Sequence, residues 1–221
     1  SQREIAGMAT LGVSLNIEES RLQVFSKESP SVFINIPILQ KTDNLQDVQI
    51  WKSTVNSYVY DSHINEWFSD YFKFSCRLVS MNKYAQRSRE IPFLKNRINL
   101  NYADGYPYLV LSKASVGKIS KDLNQSIDYR QFRANLILEN CPEFKEDELN
   151  SFKIGEAGFK MVKPCKRCQV ITINQDTGIK SKEPLAYLAK TRKQNNSVIF
   201  GMNAANIQEG LITTNNKVEV I

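Results

Sequence analysis

With 221 residues, 42% of them apolar and 24% charged, the chain has the material for one large or two small globular cores, and disorder is excluded as the default reading. Its net charge of +6 is uneven, with 6 Lys/Arg against 9 Asp/Glu over residues 1–75 and 23 against 14 over residues 76–221; the basic second part suits an anionic ligand, a nucleic acid or an acidic partner surface. One histidine, His63, excludes sites that need two or three imidazoles, and apolar runs far short of the roughly 20 residues of a membrane helix, with no secretory leader, point to a soluble protein.

Short β-branched or period-two runs predict strands at residues 21–26 (RLQVFS), 32–36 (VFINI) and 48–51 (VQIW). A helix follows from Asp61 or Ser62 as N-cap, because Ile64, Trp67, Phe68, Tyr71 and Phe72 recur at i, i+3, i+4, i+7 and i+8; so aromatic a stripe belongs in a core. A strand at 76–79 (CRLV) comes next. Residues 83–101 are polar, basic and strand-poor, with Pro92 inside them, and read as a linker or mobile loop.

Beyond that segment the pattern gives a strand at 108–111 (YLVL) and a helix after Ser112 or Ser115 with Val116, Ile119 and Leu123 on one face. Further strands fall at 135–139, 159–162, 169–173 (QVITI) and 218–220. Turns fall at Gly155 to Gly158 and at Asn174 to Gly178, where Gly and Asn take positive φ cheaply. A last helix starts with Pro184 in its first turn and runs to Arg192. Many strands with few interposed helices, and no glycine-rich phosphate loop after a strand, argue for a β-rich mixed α/β, barrel-like architecture and against a doubly wound sheet.

The segment Lys163-Pro164-Cys165-Lys166-Arg167-Cys168 is the most informative. Its cations favour a thiolate over a thiol, which suits a metal ligand or a nucleophile. Cys-x-x-Cys also has other readings. A zinc site would need two more ligands from distant residues; a thioredoxin-like pair would need a helix after the motif, where a strand is expected; two buried structural cysteines at a strand end remain open. Four cysteines in all are too few for a secreted disulfide scaffold and suit a reducing, cytoplasmic compartment. Nucleic-acid binding through Lys160, Lys163, Lys166 and Arg167 lacks a matching platform of stacking aromatics.

Taken in order, Tyr102-Ala103-Asp104-Gly105-Tyr106-Pro107-Tyr108, Phe132-Arg133-Ala134-Asn135, Lys163 to Cys168, Asn174 to Gly178 with Lys182-Glu183-Pro184-Leu185, and Phe200-Gly201 resemble the successive motifs of the MOSC domain. This is the molybdenum-cofactor sulfurase C-terminal domain, found also in the mitochondrial amidoxime-reducing component and its bacterial relatives. Ser1 to Glu4 and the VQIW, EWFS and CRLV segments look like the smaller β-barrel that precedes it. The resemblance implies an N-terminal barrel over 1–90, lacking its beginning, and a MOSC domain over 91–221.

It also implies a cofactor, molybdenum held by a pterin dithiolene, with Cys168 as a further thiolate on the metal and Cys165 in a structural role. Softness accounts for sulfur as the donor. Arg133 and Asn135 match the family's Arg-Pro-Asn, Asp104, Gly105 and Tyr106 match a cofactor-facing loop, and Arg3 matches an N-terminal arginine that reaches the cofactor. The implied activity is reduction of N-hydroxylated compounds such as amidoximes and hydroxylaminopurines by N–O cleavage. Electrons would come from a separate ferredoxin- or flavoprotein-type donor, and Asp104 is the expected proton donor. The alternative is a cofactor carrier or sulfur-transfer module in which Cys168 or Cys165 holds a persulfide. Pyridoxal phosphate is not expected on this chain, nor nucleic acid or membrane as partners. Two positions depart from the family: Ala134 replaces proline, and Met202 stands where a glutamine is common.

Overall fold

In the computed structural model, which describes residues 1–38, 43–91, 93, 94 and 97–221, the chain is mostly β and divides into two units. One comprises Ser1–Arg87 with Asn174–Ile179, the other Ser88–Ile173 with Lys180–Ile221. Pro92, singled out in the expected linker, lies outside the described residues.

In the first unit, β1 (Leu11–Asn16), β2 (Arg21–Ser26) and β3 (Phe33–Pro37) form one antiparallel sheet, and β4 (Leu45–Ile50), β5 (Ser53–Val59) and β6 (Val79–Met81) form another. Alternation along β2 sends Leu22 and Val24 to the side where α1 (Ser62–Phe72) packs. The stripe predicted for this helix is its buried face: Ile64 is 0% exposed and shares a cluster with Val24, Ile36, Tyr60 and Phe68. Each such side chain contributes roughly 1.5–3 kcal/mol on full burial. Gly12 makes room for the Phe25 ring opposite it, since a Cβ there would lie 2.4 Å from Phe25 Cζ.

The strand expected at 76–79 begins only at Val79. Polar side chains of α1 capture the preceding backbone instead: Ser69 Oγ accepts from Cys76 N–H at 3.0 Å and Asn65 Oδ1 from Leu78 N–H at 2.8 Å. Donors satisfied by a helix are not free for a ladder.

The second unit opens with β7 (Ser88–Arg89) and β8 (Ile98–Asn99), which pair with each other. Here the linker expectation holds for the boundary between the units and is corrected for the residues after it. Ile91, 2% exposed, is buried with Ile98, Leu100 and Ala205, with Tyr106 and Val162 packed against them, so sparse apolar residues tie the polar segment to a core. The boundary between the units nevertheless falls within the segment, after Arg87.

Next come β9 (Tyr108–Ser112), α2 (Lys113–Leu123), β10 (Leu136–Leu138), α3 (Lys145–Glu148), β11 (Ser151–Ile154), β12 (Ala157–Lys166), α4 (Leu185–Thr191), β13 (Lys193–Gln194), β14 (Ser197–Gln208) and β15 (Val218–Val220). The sheet runs β10-β9-β14-β12-β11-β15, with β13 paired to β14, and is nearly closed and barrel-like. The β9–β10 pair is parallel and the other pairings are antiparallel. A parallel pair needs a long crossover, which α2 provides.

β9 is buried on both faces. Val110 joins a cluster with Phe152, Phe159, Met161, Met202 and Ala204, while its neighbour Leu111 joins Val116, Ile119, Phe132, Ile171, Leu188 and Phe200. Phe200 and Met202, two apart on β14, also go to different clusters, which regular alternation forbids. The cause is a bulge. Pro164 pairs with Met202 and Lys166 with Ile199, so three steps on β14 oppose two on β12, and Gly201 has φ +76°. Bulges re-aim the strand they interrupt, and this one sits where β12 runs out toward Cys165 and Cys168.

The strand expected at 169–173 is a 3-10 turn over Gln169–Thr172. β-branched residues favour strands only when a ladder receives them. Instead Ile171 and Ile173 are buried, the Ile171 carbonyl accepts from Gln131 Nε2 at 2.9 Å, and Thr172 Oγ1 donates to the Gln169 carbonyl.

Candidate functional site

Cys168 is the N-cap residue of that 3-10 turn and is exposed, whereas Cys165 on the end of β12 is half-buried. The reading of two buried structural cysteines is therefore corrected for Cys168. All four cysteines are free.

Two side chains tie the Cys168 loop to the turn that carries Arg133. Arg167 donates from Nη2 to the Phe132 carbonyl at 2.7 Å, and Gln131 reaches Ile171 from the same turn. The turn itself is a 3-10 segment, Tyr129–Phe132, started by a capping box in which Asp128 and Gln131 cap one another. It stops at Arg133, whose φ of +56° is left-handed and turns the chain. The Arg133 side chain is exposed. Phe132, 0% exposed, anchors the turn against Phe200, with ring centroids 4.7 Å apart.

Asn135 forms a reciprocal pair with β9. Its Oδ1 accepts from Leu109 N–H and its own N–H donates to the Leu109 carbonyl, both at 2.9 Å. The amide oxygen is thus committed to structure, and the amide NH2 is the part suited to a ligand. Ala134 packs against the Phe132–Phe200 cluster. Met202, 8% exposed, is a core residue and offers no polar group.

Asp104 is exposed in the loop before β9. The Gly105 carbonyl accepts from Arg89 Nη1 at 3.1 Å, and the Tyr106 ring has Arg89 4.9 Å and Lys163 5.1 Å from its centroid. The loop is therefore clasped to β12 by a cation–aromatic–cation arrangement. A Cβ on Gly105 would make only an ordinary 3.5 Å contact with Arg89, so glycine is not demanded by packing within the unit. Lys160 similarly covers Phe93, at 4.9 Å. Aromatic rings thus do lie beside the cations considered for nucleic acid, each with a cation against it.

Arg3 lies in the first unit, its guanidinium 4.6 Å from the Trp51 ring centroid. His63 is exposed on α1. The structure thus ties the Cys168 segment to the Arg133 turn through Arg167 and Gln131, places Asn135 against the start of β9, and joins the Asp104–Tyr106 loop to β12. Arg89 and Gln131 are the participants sequence reasoning missed. The Asp-x-x-Gln spacing of residues 128–131 is a readable capping signal for Gln131, whereas nothing local marks Arg89.

Among the described residues, no group of three or more His, Cys, Asp or Glu side chains is placed to hold a metal ion. A metal that carried its own soft donors, as a dithiolene-bound one does, would need one protein thiolate, and Cys168 offers an exposed sulfur. Exposed Arg133 adds a planar fork suited to phosphate. The residues fit such a group.

The second unit is thus a domain built on a nearly closed, barrel-like mixed sheet, with the Cys165–Cys168 segment at the end of β12 tied through Arg167 to the turn bearing Arg133. A sequence model of the MOSC domain matches residues 98–219, and the chain belongs to the MOSC domain family. It is 28% identical over 232 residues to molybdenum cofactor sulfurase of Oryza sativa subsp. japonica, covering 95% of this chain and 28% of that protein. It is 34% identical over 132 residues to mitochondrial amidoxime-reducing component 1 of Mus musculus, covering 58% and 39%, and 30% identical over 159 residues to mitochondrial amidoxime reducing component 2 of Bos taurus, covering 70% and 47%. The chain spans less than half the length of each of these three relatives. No helix of the described residues is long and apolar enough to cross a membrane.

Proposed function

We propose that this chain binds a molybdenum–pterin cofactor through Cys168 and reduces N-hydroxylated compounds, taking electrons from a separate cytoplasmic protein. The observation that carries this is the exposed Cys168 thiol braced, through Arg167 and Gln131, against the turn bearing Arg133. The names of the mouse and cattle relatives supply the substrate class.

When bound, the cofactor supplies the two-electron chemistry that cleaves an N–O bond. The chain supplies the rest. Cys168 offers its sulfur from a loop restrained by hydrogen bonds that join Arg167, one residue before it, and Ile171, three residues after it, to the 129–133 turn. Arg133 would hold the anionic phosphate of such a cofactor, and Asn135 fixes the segment after that turn to β9. Arg89 and Lys163 fix Tyr106, and with it the backbone of Asp104 and Gly105. Asp104, exposed, is the group proposed to carry a proton to the departing oxygen; the overall change consumes two electrons and two protons and releases water.

The test is N-reduction of benzamidoxime by cofactor-loaded protein with a chemical electron donor. Turnover that disappears in Cys168→Ser supports the reading, and loaded protein without turnover refutes it. A second reading, persulfide transfer from Cys168, is favoured by the sulfurase that aligns over 95% of this chain. A persulfide mass shift on Cys168 in loaded, turnover-free protein would select it.

A further inference from the structure

The nearly closed sheet of the second unit has a seam. It runs from β10 at one margin to β15 at the other, and among the described residues no pairing joins those two strands. Both margins line one cavity of about 940 Å³, together with the 139–142 and 212–217 segments beside them. That is near the top of the roughly 300–1,000 Å³ range of ligand cavities, with room for a piece of chain rather than an ion.

The margins present backbone. Ile221 N–H donates to the Ser151 carbonyl at 3.1 Å, so alternation turns the N–H and C=O groups of Val218 and Val220 away from β11 and toward the seam. Asn135 N–H donates to the Leu109 carbonyl, and the same alternation turns those of Leu136 and Leu138 away from β9. Rows of strand donors and acceptors are complementary to another strand. β10 runs parallel to β9, and the four antiparallel steps from β9 through β14, β12 and β11 bring β15 into the same direction. A strand that enters antiparallel to one margin is therefore antiparallel to both.

The side chains specify the pattern of that strand. Val218 and Val220 stand opposite Ile154 and Phe152, on the face that builds the core around Val110 and Phe159, to which Leu136 and Leu138 also belong. Phe152 is 0% exposed, yet Val218 is 39% and Val220 65% exposed. A core face left bare at its last strand takes apolar residues at every second position of the next one. Four charged residues line the cavity. Glu139 is paired with Lys113, Lys145 with Glu148, and Glu219 stands opposite Lys153. Lys217 is the charge left for an incoming acid.

We propose that the seam binds an extended peptide segment of a partner protein, which enters between β10 and β15 with apolar side chains alternating inward and an acidic side chain beside Lys217. Each margin has three strand residues, about 10 Å at roughly 3.3 Å per residue, so the segment engaged is short. The site uses neither Cys168 nor a cofactor and goes beyond the activity proposed above.

The probe is a fluorescein-labelled peptide, TVEVEVT, titrated into the full chain by anisotropy and followed by hydrogen exchange. It should bind saturably with Kd below about 100 μM and slow exchange at least about threefold in peptides from both 135–142 and 212–221. The scrambled TVVVEET should bind at least about tenfold more weakly, and so should TVEVEVT with N-methyl groups on either alternate set of amides, because an inserted strand uses both of its edges. Val220→Pro removes a donor that faces the seam and not β11, and should weaken binding at least about tenfold in a folded chain. Lys217→Glu should turn the preference from TVEVEVT to TVKVKVT. The proposal is overturned if TVEVEVT does not bind, if the scrambled peptide binds equally, if one margin alone is protected, or if only one set of N-methyl groups matters. Sedimentation showing that the chain fills the seam with a second copy and excludes the peptide overturns it too. Should Val220→Pro fail to fold, the peptides on the wild-type chain decide.

Discussion

Replacing Gly201 by alanine tests the bulge that lets β14 serve two cores. Gly201 has φ +76°, and a Cβ there would lie 2.6 Å from Leu111 Cδ2 and 3.0 Å from the Val110 carbonyl oxygen. A left-handed backbone costs a residue with a Cβ roughly 1–2 kcal/mol. Forcing Leu111, itself fully buried, out of its packed rotamer costs about 1–3 kcal/mol more. The expected loss is therefore about 2–5 kcal/mol for the second unit, corresponding to roughly 30- to 3,000-fold faster exchange of its most protected amides. Trp51 and Trp67 both lie in the first unit, so tryptophan emission is a poor probe of this change. Hydrogen exchange followed by mass spectrometry over peptides containing 108–112 and 197–208 reads it directly. Protection lowered by less than about threefold would mean instead that β14 relaxes without its glycine.

Gly117→Ala should act in the other direction, stabilising by about 0.5–1 kcal/mol, because Gly117 is inside α2 and a Cβ there meets nothing within 4 Å; urea titration checks it, and any loss of stability contradicts it. Glu146 is 0% exposed, accepts from Ser115 Oγ at 2.9 Å, and is held above the ordinary carboxylate range chiefly by burial. A raised carboxyl favours the folded state below the ordinary value near 4.5 and loses that contribution as pH rises through the raised one. Glu146→Gln should therefore be more stable than wild type at pH 7.5, with the gap closing as the pH falls to 4; an equal gap at both, in thermal melts, would contradict this. Arg133→Met, at an exposed position, should shift stability by no more than about 0.5 kcal/mol while lowering the cofactor load; equal loading would remove Arg133 from the site.

Where partners are close in sequence, the fold can be read from the residues. The aromatic stripe of α1, the alternation of β2 and the Gly155 and Asn174 turns all depend on neighbours within a turn or a hairpin, and the structure has each of them. Asn174 Oδ1 caps its own turn by accepting from Asp176 and Thr177 N–H. The misjudged segments are those settled by distant groups. QVITI, a strand by composition, is turned by Gln131, 40 residues away. CRLV loses its donors to Asn65 and Ser69. The polar stretch 83–101 is anchored by Ile91, Ile98 and Leu100, too widely spaced to show a period. At the site, the motif order marked Asp104, Arg133 and Cys168, but the bonds that hold their loops run from Arg89 on β7 to Gly105, across 16 residues, and from Arg167 to Phe132, across 35. Those bonds have no local signature.

Cys168 is proposed to hold a molybdenum cofactor. Produced in a host that makes molybdopterin, the purified wild-type chain should carry molybdenum by elemental analysis, at a stoichiometry approaching one per chain. Cys168→Ser should carry far less, and Cys165→Ser should remain close to wild type. Equal molybdenum in the wild-type and Cys168→Ser proteins, whether high or absent from both, would contradict the account.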